Sequence, residues 1–218
     1  MGKLTIKQVF LAIERQILIG KTYFAISKGL LQTEPRFIGV APTFFGLTID
    51  GGFELAQMAV ARMYDKTPGP VTVQMLLKQA ALEINSFECK DREKIMDAIA
   101  KSNATLVKLK PVLKVIATRR NEWLAHLDPR TVGNPRALNK KASLTIPDLD
   151  LAFEETEKVV GGLRRLFDGS HGPIRYSGDD DYKTVIGYID RAKAAEKKAF
   201  DAKFENQFGH PPPQTPER

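Results

Sequence analysis

The sequence predicts an all-α protein, a compact bundle of about six or seven helices. Apolar residues recur every three or four positions along most of the 218-residue chain, which is the spacing of one face of an α-helix. The alternating apolar and polar runs that predict strands do not occur, and neither do the Gly-containing turns typical of hairpins. Stretches rich in Pro and Gly separate the periodic segments, so we expect helices joined by short connectors.

The amino-terminal half contains three predicted helices. The first spans residues 4–31, either as one long helix or as two helices with a break near Gly20. Residues 35–50, "PRFIGVAPTFFGLTID", combine Pro and Gly with β-branched side chains and predict an irregular connector. The second helix is expected over residues 52–65 and ends before "KTPGP", because proline cannot donate an intrahelical hydrogen bond. The third predicted helix covers residues 72–84.

The carboxyl-terminal half predicts longer helices. Residues 91–109 and 111–127 both have a helical pattern, and Pro111 between them marks either a first turn or a kink. Thr145 is a predicted N-cap, with Pro147 in the first turn of the helix that follows it. A long last helix is expected to run up to the Pro-rich end of the chain.

The composition favours a single domain. A chain with 43% hydrophobic residues can bury one sizeable core, although two small domains would also fit its length. We therefore expect one all-α domain over residues 1–207, followed by a flexible Pro-rich tail over residues 208–218. The single Cys89 cannot form an internal disulfide, and no apolar run is long enough to span a membrane. These features predict a soluble, cytoplasmic protein.

The positive charge is concentrated in one part of the chain. Residues 101–141 contain ten Lys or Arg and two acidic residues, a local excess of eight, whereas the whole chain has a net charge of +7. Such a cluster can attract the phosphates of a nucleic acid. It is equally compatible with a solvated face whose acidic partners lie elsewhere in the fold.

One arginine interrupts the apolar stripe of the helix predicted over residues 111–127. At about 100° per residue, four apolar side chains project within about 40° of Arg120, namely Leu113, Ile116, Leu124 and Leu127. Because an unpaired guanidinium is costly to bury, Arg120 must reach a carboxylate, a subunit interface or a water-lined groove. A salt bridge to another helix is the simplest of these explanations.

The residues that follow Arg120 resemble a known motif. In "RNEWLAH", Arg120, Asn121 and His126 are similar to the signature of the HEPN superfamily, an Arg, then a polar residue, then a His several positions on. The longer stretch "RRNEWLAHLDP" resembles the abortive-infection U (AbiU-type) branch of that superfamily, as does "ARMYDKTPGPVTVQMLL" upstream. The resemblance covers roughly residues 50–130 and extends to the rest of the chain only as an all-α pattern. Glu122 departs from the Lys usual in this branch.

The resemblance implies a metal-independent endoribonuclease that acts in phage defence or as a toxin, without a cofactor. Members of the superfamily often form homodimers in which two motifs meet, so the stripe around Arg120 would become the dimer seam. A neighbouring antitoxin protein would then be a possible partner. The implied catalytic residues are Arg120, Asn121 and His126, and the nearby cations predicted to bind RNA are Lys110, Lys114, Arg119 and Arg130.

The positions of Arg120 and His126 on an ideal helix do not decide between three possible functions. Arg120 and His126 differ by about 120° around such a helix, so a frayed or tightened last turn, or a second subunit, would be needed to bring them together. The chain could be a HEPN ribonuclease, or a HEPN-like module that binds RNA or a protein without cleavage. It could also be a helical scaffold in which Arg120 is a structural ion.

Overall fold

The protein is an all-α bundle, as predicted. A computed structural model describes residues 4–67, 69–124, 140–170, 178 and 180–210. In these ranges there is no strand, and no helix is long and apolar enough to cross a membrane. The helices are α1 (Ile6–Leu31), α2 (Pro35–Ile38), α3 (Pro42–Met63), α4 (Val73–Leu82), α5 (Arg92–Arg119), α6 (Ile146–Asp168) and α7 (Asp181–Phe208), with a 3₁₀ turn at Ile84–Ser86 and a π-helical turn at Arg120–Leu124.

Helix α1 is one continuous helix and does not break at Gly20. Thr5 and Gln8 form a capping box at its start, in which each side chain accepts a hydrogen bond from the other residue's backbone N–H. Gly20 serves packing instead, because an added Cβ would lie 2.7 Å from both Ala59 of α3 and Phe153 of α6. The missing side chain lets these two helices approach α1 closely.

The prediction of an irregular connector over residues 35–50 is wrong, because most of this segment is helical. Helix α3 begins at Pro42 and continues through Gly46, Gly51 and Gly52, although each glycine costs about 1 kcal/mol in a helix interior relative to alanine. At Gly52 a Cβ would lie 2.0 Å from Ser27 Oγ, so the absence of a side chain allows α3 to pack on α1. These two helices form the largest contact in the bundle, and their packing outweighs the local propensity.

The core lies between α1, α3, α4, α5 and α6. Its largest fully buried side chains include Phe10, Phe87, Phe153, Leu109 and Ile116. Burial of such side chains contributes about 1.5–3 kcal/mol each. Ile116, one turn before the end of α5, fixes that end against the core.

Helix α5 joins the two helices that were predicted on either side of Pro111. It is one helix from Arg92 to Arg119, and Asp91 caps it by accepting a hydrogen bond from the Lys94 backbone N–H. After Arg119 the helix widens into the π turn, in which N–H groups reach carbonyls five residues back. The predicted cap of α6 is confirmed, since Thr145 accepts from the Asp148 backbone N–H with Pro147 in the first turn.

Helix α7 lies at the edge of the bundle. It contacts α1 and α2, and none of its residues is buried. Lys193 donates a hydrogen bond to the backbone carbonyl of Arg36 (2.8 Å), and the helix ends at Phe208, where Gly209 adopts a left-handed conformation. Residues 211–218 of the predicted tail lie outside the described residues, so the proposed boundary at residues 207 and 208 stays a prediction.

Candidate nucleic-acid interface at the end of α5

The partner of Arg120 is a carboxylate at the end of another helix. Arg120 Nη1 lies 2.6 Å from Asp65 Oδ2, and Asp65 follows directly on the last turn of α3. The two side chains are 22% and 15% exposed, respectively. The ion pair is therefore neither deeply buried nor fully exposed to solvent. Of the three partners considered for Arg120, namely a carboxylate, a subunit interface and a water-lined groove, the structure shows a carboxylate.

Arg120 also contacts its neighbour in the motif. Its Nε donates a hydrogen bond to Asn121 Oδ1 at 2.9 Å. A guanidinium has five N–H donors, and within the described part of the chain Arg120 uses only the Nε and Nη1 groups. Asp65 and Asn121 thus fix the plane of the guanidinium while other donors stay available for an oxyanion.

Asp65 is held in its ionised form. The backbone N–H of Thr67 donates to Asp65 Oδ1 at 2.9 Å and is the main cause that lowers the pKa of Asp65. Burial acts in the opposite direction, and the Thr67 hydroxyl and the Arg120 guanidinium lower this pKa further. The carboxylate consequently stays charged at neutral pH and orients Arg120.

Arg119, the preceding residue, points to different partners. Its Nε donates to Gln57 Oε1 (2.8 Å) and its Nη1 to the carbonyl of Ala142 (3.1 Å). Burial lowers the pKa of Arg119, and the charge of Glu54 opposes that effect. These contacts tie α5 to α3 and to the segment before α6, so Arg119 has a structural role, while its predicted contact with RNA is not tested by them.

The acidic residue that departs from the expected motif has a local partner. Glu122 accepts a salt bridge from Lys141 Nζ, and the Glu122 side chain is 18% exposed. Its negative charge is therefore balanced within the site. The salt bridge leaves the net charge unchanged, so Glu122 still offsets one of the positive charges near the site.

The π turn changes the geometry that an ideal helix would give the motif. It begins at Arg120 and includes Asn121, so the last described turn is wider rather than tightened. The angle of about 120° derived for Arg120 and His126 assumed α-helical spacing throughout and does not apply across a π turn. His126 and Arg130 themselves lie outside the described residues.

The apolar stripe around Arg120 belongs, in its first part, to the core of one chain. Ile116 is 1% exposed, and Leu113 packs against the core cluster. Ile116 is therefore not available to the dimer seam that the resemblance implied, and the homodimer itself stays a prediction. The exposed side of α5, which carries Lys110 and Lys114, is the side that remains open to a partner or to RNA.

Sequence reasoning missed Asp65 because 55 residues separate it from Arg120. A usable signal existed, since Asp65 lies in "ARMYDKTPGP", within the upstream stretch that resembles the AbiU-type branch. No periodicity pairs an acid after one helix with an arginine at the end of another, so only the packing of α3 against α5 brings the two together.

An all-α bundle in which a long helix leads into the Arg120–Asn121 pair fits a HEPN-like domain. A model of the AbiU2 family of HEPN domains matches residues 11–193. The chain therefore belongs to the AbiU2 family, which confirms the resemblance and makes the protein a phage-defence-related HEPN domain. Neither the curated proteins nor the solved structures contain a match to the chain.

Proposed function

We propose that this protein is a metal-independent endoribonuclease of the HEPN type, acting as a phage-defence or toxin component. Its proposed catalytic residues are Arg120, Asn121 and His126. The observation that supports the proposal is the Arg120 guanidinium, held in a fixed plane by Asp65 and Asn121 at a partly exposed helix end. Preorganised donors of this kind are what a developing phosphorane charge requires.

The proposed reaction uses the substrate's own 2′-hydroxyl. The 2′-oxygen attacks the phosphorus and loses its proton to a base, while the bond from phosphorus to the 5′-oxygen breaks and that oxygen takes up a proton. His126 serves as an acid or base because an imidazole titrates near neutrality. Arg120 donates to the phosphate oxygens, and Asn121 orients the phosphate or the histidine. The products are a 2′,3′-cyclic phosphate and a 5′-hydroxyl.

A line of exposed positions on α5 supports binding of the RNA backbone. Residues 110, 114 and 117 recur at helical spacing on α5 and are exposed, and so is Asn121 in the π turn that follows. Lys110 and Lys114 on this line, about 16 Å long at 1.5 Å per residue, lead towards Asn121. We propose that these lysines, together with Arg130, bind phosphates electrostatically, so that RNA affinity falls as salt concentration rises.

Two partners complete the proposal. A homodimer that uses the exposed side of the motif helix would bring two copies of Arg120 and His126 into one cleft. An antitoxin protein covering the same side would exclude RNA. Both partners are proposed from membership of the family.

The test is RNA cleavage in the presence of EDTA by the wild type and by His126→Ala. We expect the wild type to produce cyclic-phosphate ends and the variant to be inactive, with unchanged circular dichroism and elution volume. The matched control is His210→Ala, which removes a histidine beyond the family match and should cleave as the wild type does. Cleavage by His126→Ala at the wild-type rate would overturn the assigned mechanism.

The Arg120–Asp65 ion pair itself supports a second candidate, a helical scaffold in which Arg120 is a structural ion. In that case Arg120→Ala lowers the free energy of unfolding by more than the limit of about 1 kcal/mol for an exposed pair, because the Asp65 carboxylate loses its partner. A non-catalytic HEPN-like module is the other candidate, supported by the lysine line on α5. It predicts salt-sensitive RNA binding without cleavage products.

A further inference from the structure

A depression of about 480 Å³ borders the Arg120 site. It lies between the turn that follows α3 and one side of α4, and Asp65 forms part of its wall. Asp65 also contacts Arg120 at 2.6 Å, so the same residue lines the depression and holds the proposed catalytic arginine. A molecule bound there would be adjacent to whatever Arg120 holds.

We propose that this depression is a subsite for one nucleotide of single-stranded RNA, next to the phosphate that is cleaved. The inference rests on the proposed function and names the part of the site that would select the substrate. Its volume lies within the range of about 300–1,000 Å³ that is usual for small-molecule sites.

The charges around the depression suit a phosphate. Lys66 and Lys78 line it, and both side chains are exposed and able to reach an anion. Asp65, the one acidic residue among the described lining residues, is neutralised by Arg120. The depression therefore presents two lysine charges in addition to a neutral ion pair, and a bound phosphate meets no unbalanced carboxylate.

The α4 side of the depression suits the base. Gln74 lines it, and its side-chain Oε1 is buried without a hydrogen-bond partner among the described residues. A buried amide oxygen without a partner is costly, so the Gln74 side chain gains a hydrogen bond when it rotates into the depression and its oxygen accepts from an N–H group at the edge of a base. Met75 and Leu82, the latter 75% exposed, supply apolar surface beside the amide for the face of the base.

These contacts select an unpaired nucleotide. In a duplex the Watson–Crick edge is engaged and the bases are stacked, so Gln74 could not bond to that edge nor Met75 contact the base face. The proposed ligand is therefore a single-stranded segment or loop. Its nucleotide in the depression and its neighbouring phosphate at Arg120 together align the strand for cleavage.

The test measures binding separately from cleavage. The probe is a 12-nucleotide single-stranded RNA of randomised sequence with 2′-fluoro groups, which has no 2′-hydroxyl and cannot be cut. We expect Lys78→Ala and Gln74→Leu to raise its Kd by about fivefold each, the effect of one lost contact. The matched control is Lys197→Ala, which removes an exposed lysine of α7 and should change the Kd by less than about twofold.

Two results would overturn the subsite. One is that Lys78→Ala and Gln74→Leu both bind the probe like the control, and the other is that a 2′-fluoro duplex competes as well as the single strand. Lys78→Glu, at an exposed position, repeats the test with a larger expected loss, because it reverses the charge. Failure of the wild type to bind the probe also overturns the proposal.

The outcome is distinguishable from the fate of the ribonuclease proposal. If the wild type cleaves no natural RNA and the two variants still weaken probe binding, the subsite stands and the catalytic assignment fails. If the wild type cleaves and the variants bind normally, the reverse holds. If both proposals are right, the variants raise KM for natural RNA and leave kcat unchanged.

Discussion

Two sets of contacts meet where α3 and α5 end, and neighbouring residues divide between them. Tyr64 and Arg119 make the inner contacts: the Tyr64 hydroxyl bonds to Thr156 Oγ1 of α6 at 2.7 Å in a buried position, and Arg119 bonds to groups of the fold. Asp65 and Arg120, each one residue further along, make the outer contact at the surface. The same two helix ends thus carry one set of groups for the core and one for the surface.

The two sets of contacts differ in whether water can take the place of a lost partner. Breaking an inner contact leaves a buried polar group unsatisfied, at a cost of about 1–3 kcal/mol. The outer ion pair is partly exposed, and pairs near water contribute about 1 kcal/mol or less. Inner contacts therefore support stability, whereas the outer contact can exchange or share its donors with a phosphate at small cost.

The largest expected effect separates the two adjacent arginines. Arg120→Ala should reduce RNA cleavage by about 100- to 1,000-fold, the effect of removing one oxyanion donor, with little change in unfolding. Arg119→Ala should lower the free energy of unfolding by about 1–3 kcal/mol, because Gln57 and the Ala142 carbonyl lose their donor. Initial cleavage rates and urea titrations measure the two effects. If Arg120→Ala is the less stable variant, the division into inner and outer contacts is wrong.

The next effect concerns the packing that supports the inner contacts. Gly20→Ala should destabilise the fold by about 1–3 kcal/mol, because its Cβ would lie 2.7 Å from Ala59 and Phe153. Gly51→Ala is the control within α3, since no atom of the described residues beyond its own helix turn lies within 4 Å of the added Cβ. It should stabilise the fold by up to about 1 kcal/mol. Thermal unfolding compares the pair, and equal melting temperatures would contradict this account.

A smaller effect is expected for the inner hydrogen bond. Tyr64→Phe should lower stability by about 1 kcal/mol at neutral pH, with RNA cleavage unchanged. Burial raises the pKa of Tyr64 from 10.0 to about 12, so its contribution is complete below pH 10 and is lost as the pH rises towards 12. Urea unfolding at pH 9 and pH 11 should therefore show a steeper loss for the wild type than for Tyr64→Phe. Parallel losses would mean that the Tyr64 hydroxyl titrates in the same way in the folded and the unfolded chain.

The smallest effect concerns the outer contact in acid. The pKa of Asp65 is below its usual value of 3.8, mainly because of the Thr67 backbone N–H. Its contribution to stability is present above pH 3.8 and is lost as the pH falls through the lowered pKa. The free energy of unfolding of Asp65→Asn should therefore fall less steeply below pH 3.8 than that of the wild type. Between pH 5 and pH 8 the two proteins should show the same dependence on pH. A change of slope near neutrality would point to a different group.

The sequence predicts what depends on local patterns. Thr145, followed by Pro147, predicts the start of α6 correctly, because capping involves residues a few positions apart. The stretch from Pro42 to Asp50 was wrongly predicted as a connector, since its glycines and proline are unfavourable for a helix in isolation. They are tolerated because α3 packs closely on α1. Local propensity was therefore a poor guide where tertiary contact decides.

The candidate site also contains features that local sequence patterns cannot predict. The sequence identifies Arg120 and Asn121 through a short motif and requires a partner for the arginine, but it cannot name Asp65 at 55 residues' distance. The π turn is also unpredictable from the residues, because an i to i+5 hydrogen bond replaces an i to i+4 bond without a distinct composition. Long-range packing determines both features.

The contact of α1 with α3 has a consequence for how the family can vary. Positions 20 and 52 leave no room for a side chain, whereas an added Cβ at positions 46 and 51 would meet no neighbouring helix in the described part of the chain. All four are glycines in this sequence, yet natural selection should hold the first two fixed and let the other two drift. An alignment of AbiU2 sequences should therefore show glycine retained at positions 20 and 52 and replaced more often at positions 46 and 51. The pattern of retained glycines would mark where neighbouring helices pack closely.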